Sequence, residues 1–190
     1  MNDSGDDADA GDREADASTG GPADASGPID AADVAAADGV TGIFARESPY
    51  LDRYVQIGVA SGRVLSVSFP EVPDEEAAED HDLLDRIFDY LDGVEEDDFS
   101  DVEVALTVPT DQRRVLERVR RIPYGDQIDV ETLARMTSGV DHTDEDDLNV
   151  VRTALDRNPA PLVIPDHRVR DGPSAAPPPV EQKLRSLEGL

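Results

Sequence analysis

The chain has 190 residues, no cysteine, and 44 acidic against 17 basic side chains, for a formal net charge of -27. The missing thiol excludes disulfides, thiolate metal sites and a cysteine nucleophile, and leaves His81, His142 and His167 as the only imidazoles. With Lys183 as its one lysine, the chain has the composition of a salt-adapted cytoplasm, where molar salt shortens the Debye length to about 3 Å and screens self-repulsion.

Residues 1–39 repeat Asp, Ala, Gly and Ser with almost no large apolar side chain, so they are expected to form a disordered acidic tail. Their start lacks the basic and apolar regions of a secretory signal, and no apolar run reaches the length of a membrane span. A soluble cytoplasmic monomer with no membrane contact is expected. Alternation over residues 54–60 and 63–69, separated by Ser61-Gly62, predicts two strands and a tight hairpin. Leu83, Leu84, Ile87, Phe88 and Leu91 at helical spacing predict a helix over 81–92, stopped at Gly93. Residues 102–108 read as a further strand ending at Pro109, and 40–108 as a small α/β N-terminal domain.

From 109 the pattern becomes helical. Thr110 is placed to cap a helix carrying Val115, Leu116, Val119 and Ile122, and Pro123-Tyr-Gly125 breaks it. Asp129 is placed to cap a short second helix with Val130, Leu133 and Met136. A capping-box pattern from Thr143 to Asp146 opens a third, with Leu148, Val151 and Leu155 inward and a stop at Asn158-Pro159. Short helices joined by a tight turn predict a winged-helix-like, helix-turn-helix domain over 109–190. Charge divides at the same place: residues 110–190 hold 15 acids against 12 basic residues, so an anionic partner belongs there rather than on the acidic N-terminal half.

The order Thr110-Asp-Gln-Arg-Arg-Val-Leu116, Arg121-Ile-Pro-Tyr-Gly-Asp126, Leu133-Ala134, Arg157-Asn-Pro-Ala-Pro-Leu-Val-Ile-Pro-Asp-His-Arg-Val169 and Leu187-Glu-Gly189 resembles the alkylguanine-DNA alkyltransferases. The likeness runs over roughly 41–189. It implies an α/β N-terminal domain and a DNA-binding domain that flips a damaged guanine from the duplex so that a cysteine, in a Pro-Cys-His-Arg frame, takes its alkyl group. Asp166 stands where that cysteine belongs. His167 and Glu188 match the residues that activate and orient the nucleophile, and Asn158 matches the residue supporting the turn before it.

A carboxylate is a far weaker nucleophile toward an alkyl carbon than a thiolate, so self-alkylation is excluded and no catalytic residue is assigned. A side chain bonding backbone amides in a turn is the plainer reading of Asp166. The family's nucleotide-rotating tyrosine falls at Val130 and its arginine finger at Asn149. The lid between active-site strand and last helix is short, lacks an aromatic and reads as missing. The resemblance narrows to the cysteine-less alkyltransferase-like proteins, which bind alkylated DNA and mark it for excision repair, and the salt-adapted composition points to a haloarchaeon. Asn149, Arg152, Thr153, Arg157 and Arg168 are the candidate contacts to double-stranded DNA, with no cofactor or metal. A degenerate paralogue acting as a protein-interaction module without DNA binding is the alternative, favoured by the acidic run 141–147.

Overall fold

The computed structural model describes residues 39–190, so the expected acidic tail lies outside the described residues apart from its last glycine. Strands β1 (Gly42–Ser48), β2 (Arg53–Ala60) and β3 (Arg63–Ser68) form an antiparallel meander in that order. The predicted hairpin joins β2 to β3, and Ser61 at φ 51 and Gly62 at φ 72 supply the paired left-handed residues that match strand twist. β1 was not legible in the sequence. Its Gly, Arg, Glu and Ser are poor strand formers, and it is a strand because β2 pairs with it from Gly42↔Val59 to Ser48↔Arg53.

Val55, Ile57 and Val59 point from β2 into the core. Helix α1 (Asp82–Leu91) follows, capped by His81, whose Nδ1 accepts from the Leu83 amide at 3.0 Å. Leu83, Leu84, Ile87 and Leu91 are buried as the spacing predicts, joined by Tyr90. Leu84 and Ile87 are both 0% exposed, and burial of each stabilises the fold by about 1.5–3 kcal/mol. The strand expected over 102–108 does not form. The Glu103 carbonyl and the Ala105 amide bond to Val64, but further along β3 the Val67 amide donates to the Pro159 carbonyl, which ends the ladder.

Helix α2 (Thr110–Val119) buries Val115, Leu116 and Val119 as expected, with Thr110 its first helical residue rather than its cap. Helix α3 (Val130–Met136) is capped by Asp129, whose Oδ1 accepts from the Thr132 amide at 2.7 Å. Helix α4 (Glu145–Asp156) is capped by Asp144, one residue past the expected Thr143, which instead hydrogen-bonds Asp141. A 3-10 turn (Asp166–Arg168) leads into β5 (Val169–Arg170), which pairs in parallel with β4 (Ile128–Asp129). Helix α5 (Pro178–Glu188) closes the chain, with Gly189 at φ 73 as its left-handed terminator.

The result is an α/β fold in which a three-stranded sheet and α1 precede a helical region with the helix-turn-helix of α3 and α4. One apolar cluster runs unbroken from Leu51 to Leu184 across residue 109. Polar contacts cross the same seam: Tyr50 Oη donates to the Lys183 carbonyl, and Arg120 Nη2 to the carbonyls of Phe99 and Val102. Among the described residues, no helix is long and apolar enough to cross a membrane.

Candidate nucleic-acid interface and a buried carboxyl cluster

The turn from Asn158 to Pro165 delivers Asp166, His167 and Arg168 into the interior, where each is no more than 2% exposed. The turn itself is tight. Leu162 sits at φ 83, held by the hydrogen bonds from the Ile164 amide to the Ala160 carbonyl and from Asn158 Nδ2 to the Ile164 carbonyl, both 2.8 Å.

Three donors converge on the Asp166 carboxyl. Asn158 Nδ2 donates to Oδ2 at 2.8 Å, Ser174 Oγ to Oδ1 at 2.6 Å, and the Ala175 amide to Oδ2 at 3.1 Å. Burial pushes this carboxyl above the usual carboxylate range, against the hydrogen bonds from Ser174 and Asn158. The lid segment is short and without an aromatic, as read, but it is not absent from the site: Ser174 and Ala175 close it over Asp166. Nothing in the proline-rich sequence around Ser174 marked it for that role.

Beside this clasp lies a second buried network centred on Glu188. Its Oε1 accepts from Tyr90 Oη at 2.6 Å, Arg168 Nη2 at 2.7 Å and His167 Nε2 at 3.1 Å. Its Oε2 accepts from Arg168 Nε at 2.8 Å and the Gly125 amide at 3.3 Å. Burial acts to raise the Glu188 pKa, but the hydrogen bonds from His167 and Arg168 outweigh it and hold the carboxyl down to about 2. With Glu188 ionised, His167 Nε2 is placed to donate to it. His167 Nδ1 is buried and has no hydrogen-bond partner among the described residues. Burial and the Glu188 charge push the Tyr90 phenol upward, so it stays a donor.

The structure brings together Asn158 with Asp166 and His167 with Glu188, as the sequence suggests, and adds Tyr90, Arg168, Ser174 and Ala175. Arg168, expected to contact DNA, is instead buried: its Nη1 donates to the Ile122 carbonyl at 2.7 Å and the rest of its guanidinium grips Glu188, so it does not reach solvent. On α4, Asn149 is exposed. Arg152 pairs with Glu145 at 3.1 Å, and Thr153 Oγ1 donates to the Asn149 carbonyl. Arg157 is exposed at the end of the same helix.

Residues 110–179 match the family model of the 6-O-methylguanine DNA methyltransferase DNA binding domain. That segment of the chain is similar to the family's DNA-binding domain. A methylated-DNA--protein-cysteine methyltransferase of Archaeoglobus fulgidus is 44% identical over 57 residues, which is 30% of this chain; the chain spans about a third, 34%, of that relative's length. The methyltransferase-type fold extends further than this sequence match. The O6-methylguanine-DNA methyltransferase of Pyrococcus kodakaraensis strain KOD1 superposes with a TM-score of 0.59 at 23% identity, covering 78% of this chain and 100% of that one. Mycobacterium tuberculosis OGT in complex with DNA gives a TM-score of 0.59 at 20% identity, covering 78% and 91%. The helix-turn-helix, the Asp166 turn and β5 after it all lie inside the matched segment, whereas Glu188 and Tyr90 lie outside it.

Proposed function

We propose that this protein is a non-catalytic, alkyltransferase-like DNA-binding protein that recognises alkylated guanine in double-stranded DNA. The carrying observation is Asp166. In a methyltransferase-type domain it occupies the nucleophile's place in a Pro-Asp-His-Arg frame, in a chain with no cysteine, and its carboxyl is taken up by Asn158, Ser174 and Ala175. A buried carboxylate engaged with three donors does not attack an alkyl carbon. The turn, the helix-turn-helix and the His167–Glu188 contact are kept without the chemistry they serve in the family. Binding without transfer is the function consistent with that retention.

In this reading Asn149, Arg152, Thr153 and Arg157 on α4 face the duplex, the domain border lies at residue 109, and the protein acts as a cytoplasmic monomer of a salt-adapted archaeon. Lesion recognition requires Ser174 to release Asp166 so that an extruded base can enter. Excision-repair proteins would then read the marked site. A protein-interaction module without DNA binding is favoured by one observation: the first turn of α4 carries Glu145, Asp146 and Asp147 after Asp144, and Glu145 takes the guanidinium of Arg152.

Fluorescence anisotropy with matched duplexes containing guanine or O6-alkylguanine, from 0.15 M to molar KCl, separates the two. Tighter binding of the alkylated duplex is the expected result. Binding to neither duplex refutes the reading in favour of the interaction module.

A further inference from the structure

In a chain of 44 acids and 17 basic residues, the described arginines without a carboxylate partner need an explanation, and all of them but Arg157 lie on α2 or just past its end. Three such residues share one helix face. Arg114, Arg118 and Arg121 follow each other at i, i+4 and i+7 along α2 and just past its end, and none makes an ion pair among the described residues. They line a groove of about 180 Å³ with Thr137 and Ser138, and its one carboxylate is Glu117. Like charges at this spacing oppose the helix by a few tenths of a kcal/mol per pair, so their clustering asks for an anion.

We propose that this outer face of α2 is a phosphate-binding surface for the backbone of duplex DNA, distinct from the contacts of α4. The inference rests on the DNA-binding reading above and says which surface carries the electrostatic part of that binding.

Two features of the fold favour a DNA backbone. The first is spacing: seven residues of helix rise about 10 Å, and one DNA strand places a phosphate every ~3.4 Å of axis, so three arginines span about three phosphates. The second is location. Arg114 Nη1 lies 3.0 Å from where a Cβ on Gly139 would sit, which sets this arginine over the turn between α3 and α4. The cluster therefore borders the helix-turn-helix. Meanwhile the N-terminus of α4, ordinarily hospitable to phosphate, is neutralised by Asp144, Glu145, Asp146 and Asp147. Of the hydroxyls in the groove, Thr137 Oγ1 is committed to the Leu133 carbonyl, whereas Ser138 is exposed.

The test replaces Arg114, Arg118 and Arg121 together by Gln, with R135Q as a control whose charge is paired to Glu131 on the exposed side of α3. Circular dichroism melting verifies that each variant folds. Anisotropy on plain and O6-alkylguanine duplexes across a KCl series reads the rest. The expected result is a loss of about 10- to 100-fold on both duplexes at 0.15 M KCl, with the slope of log affinity on log salt falling by roughly 2.7. The preference between the two duplexes stays unchanged, because backbone contacts carry no lesion information.

A triple variant that binds within twofold of the wild type with the same slope overturns this inference and leaves the DNA-binding reading standing. A wild type that binds neither duplex overturns both. Displacement of DNA by polyaspartate at equal charge concentration would reassign the surface to an acidic protein, which also overturns the proposal.

Discussion

Replacing Glu188 by Ala removes the acceptor on which Tyr90, His167, Arg168 and the Gly125 amide converge. Arg168, 2% exposed, would keep only the Ile122 carbonyl and the face of the Tyr124 ring for its charge. Breaking a buried ion pair from one side costs about 3–5 kcal/mol, because the remaining charge stays desolvated. For a folded region of about 150 residues, that corresponds to a melting point lower by roughly 10 °C. Urea titration followed by circular dichroism measures it, with an unchanged m-value as the sign that only stability moved. Glu188→Gln preserves volume yet sets an amide nitrogen against at least one donor, so most of the loss should persist. The loss should also survive molar KCl, since ions do not screen an enclosed pair, whereas the exposed Arg135–Glu131 pair should contribute at most about 1 kcal/mol and fade with salt. A Glu188→Ala loss under 1 kcal/mol, or one abolished by salt, would refute the account of this network.

Tyr90→Phe removes one bond to a charged acceptor and should cost about 1.5–3 kcal/mol in the same titration. Asp166→Asn should lie within about 1 kcal/mol of the wild type, because its carbonyl can still accept from Asn158 and Ala175 while its amide faces the Ser174 hydroxyl; Asp166→Ala loses all three bonds and should cost about 2–4 kcal/mol. pH separates the two carboxyls by sign. Glu188, held down to about 2, contributes stability that is present above its unfolded pKa and is lost as pH falls from about 4.5 toward 2. Asp166, raised by burial, works the other way, so the stability of Asp166→Asn relative to wild type should increase as pH rises through the Asp166 titration; denaturation midpoints across pH 3–8 would show a flat difference if that assignment is wrong.

Periodicity made α1 legible because Leu83, Leu84, Ile87 and Leu91 repeat at the helical interval, and the β2–β3 hairpin because Ser61-Gly62 interrupts two alternating runs. The cap at Asp129 and the Pro-Asp-His-Arg turn were equally readable, since each depends on residues close together in the chain. β1 and the absent strand at 102–108 were not, because strand formation is decided by a partner's free backbone groups rather than by the segment's own side chains.

The site divides along the same line. Sequence alone determined that the chain has no thiol, and the resemblance of its Pro-Asp-His-Arg frame to an alkyltransferase motif singled out Asp166, His167 and Glu188 as residues to look for together. Only the tertiary structure decided that Ser174 locks Asp166 and that Arg168 turns inward. It also joined Tyr90 to Glu188 across 98 residues of sequence. Each of those contacts joins groups whose separation along the chain carries no periodic or local signal, and each exists because a buried charge must find donors wherever the packed elements bring them.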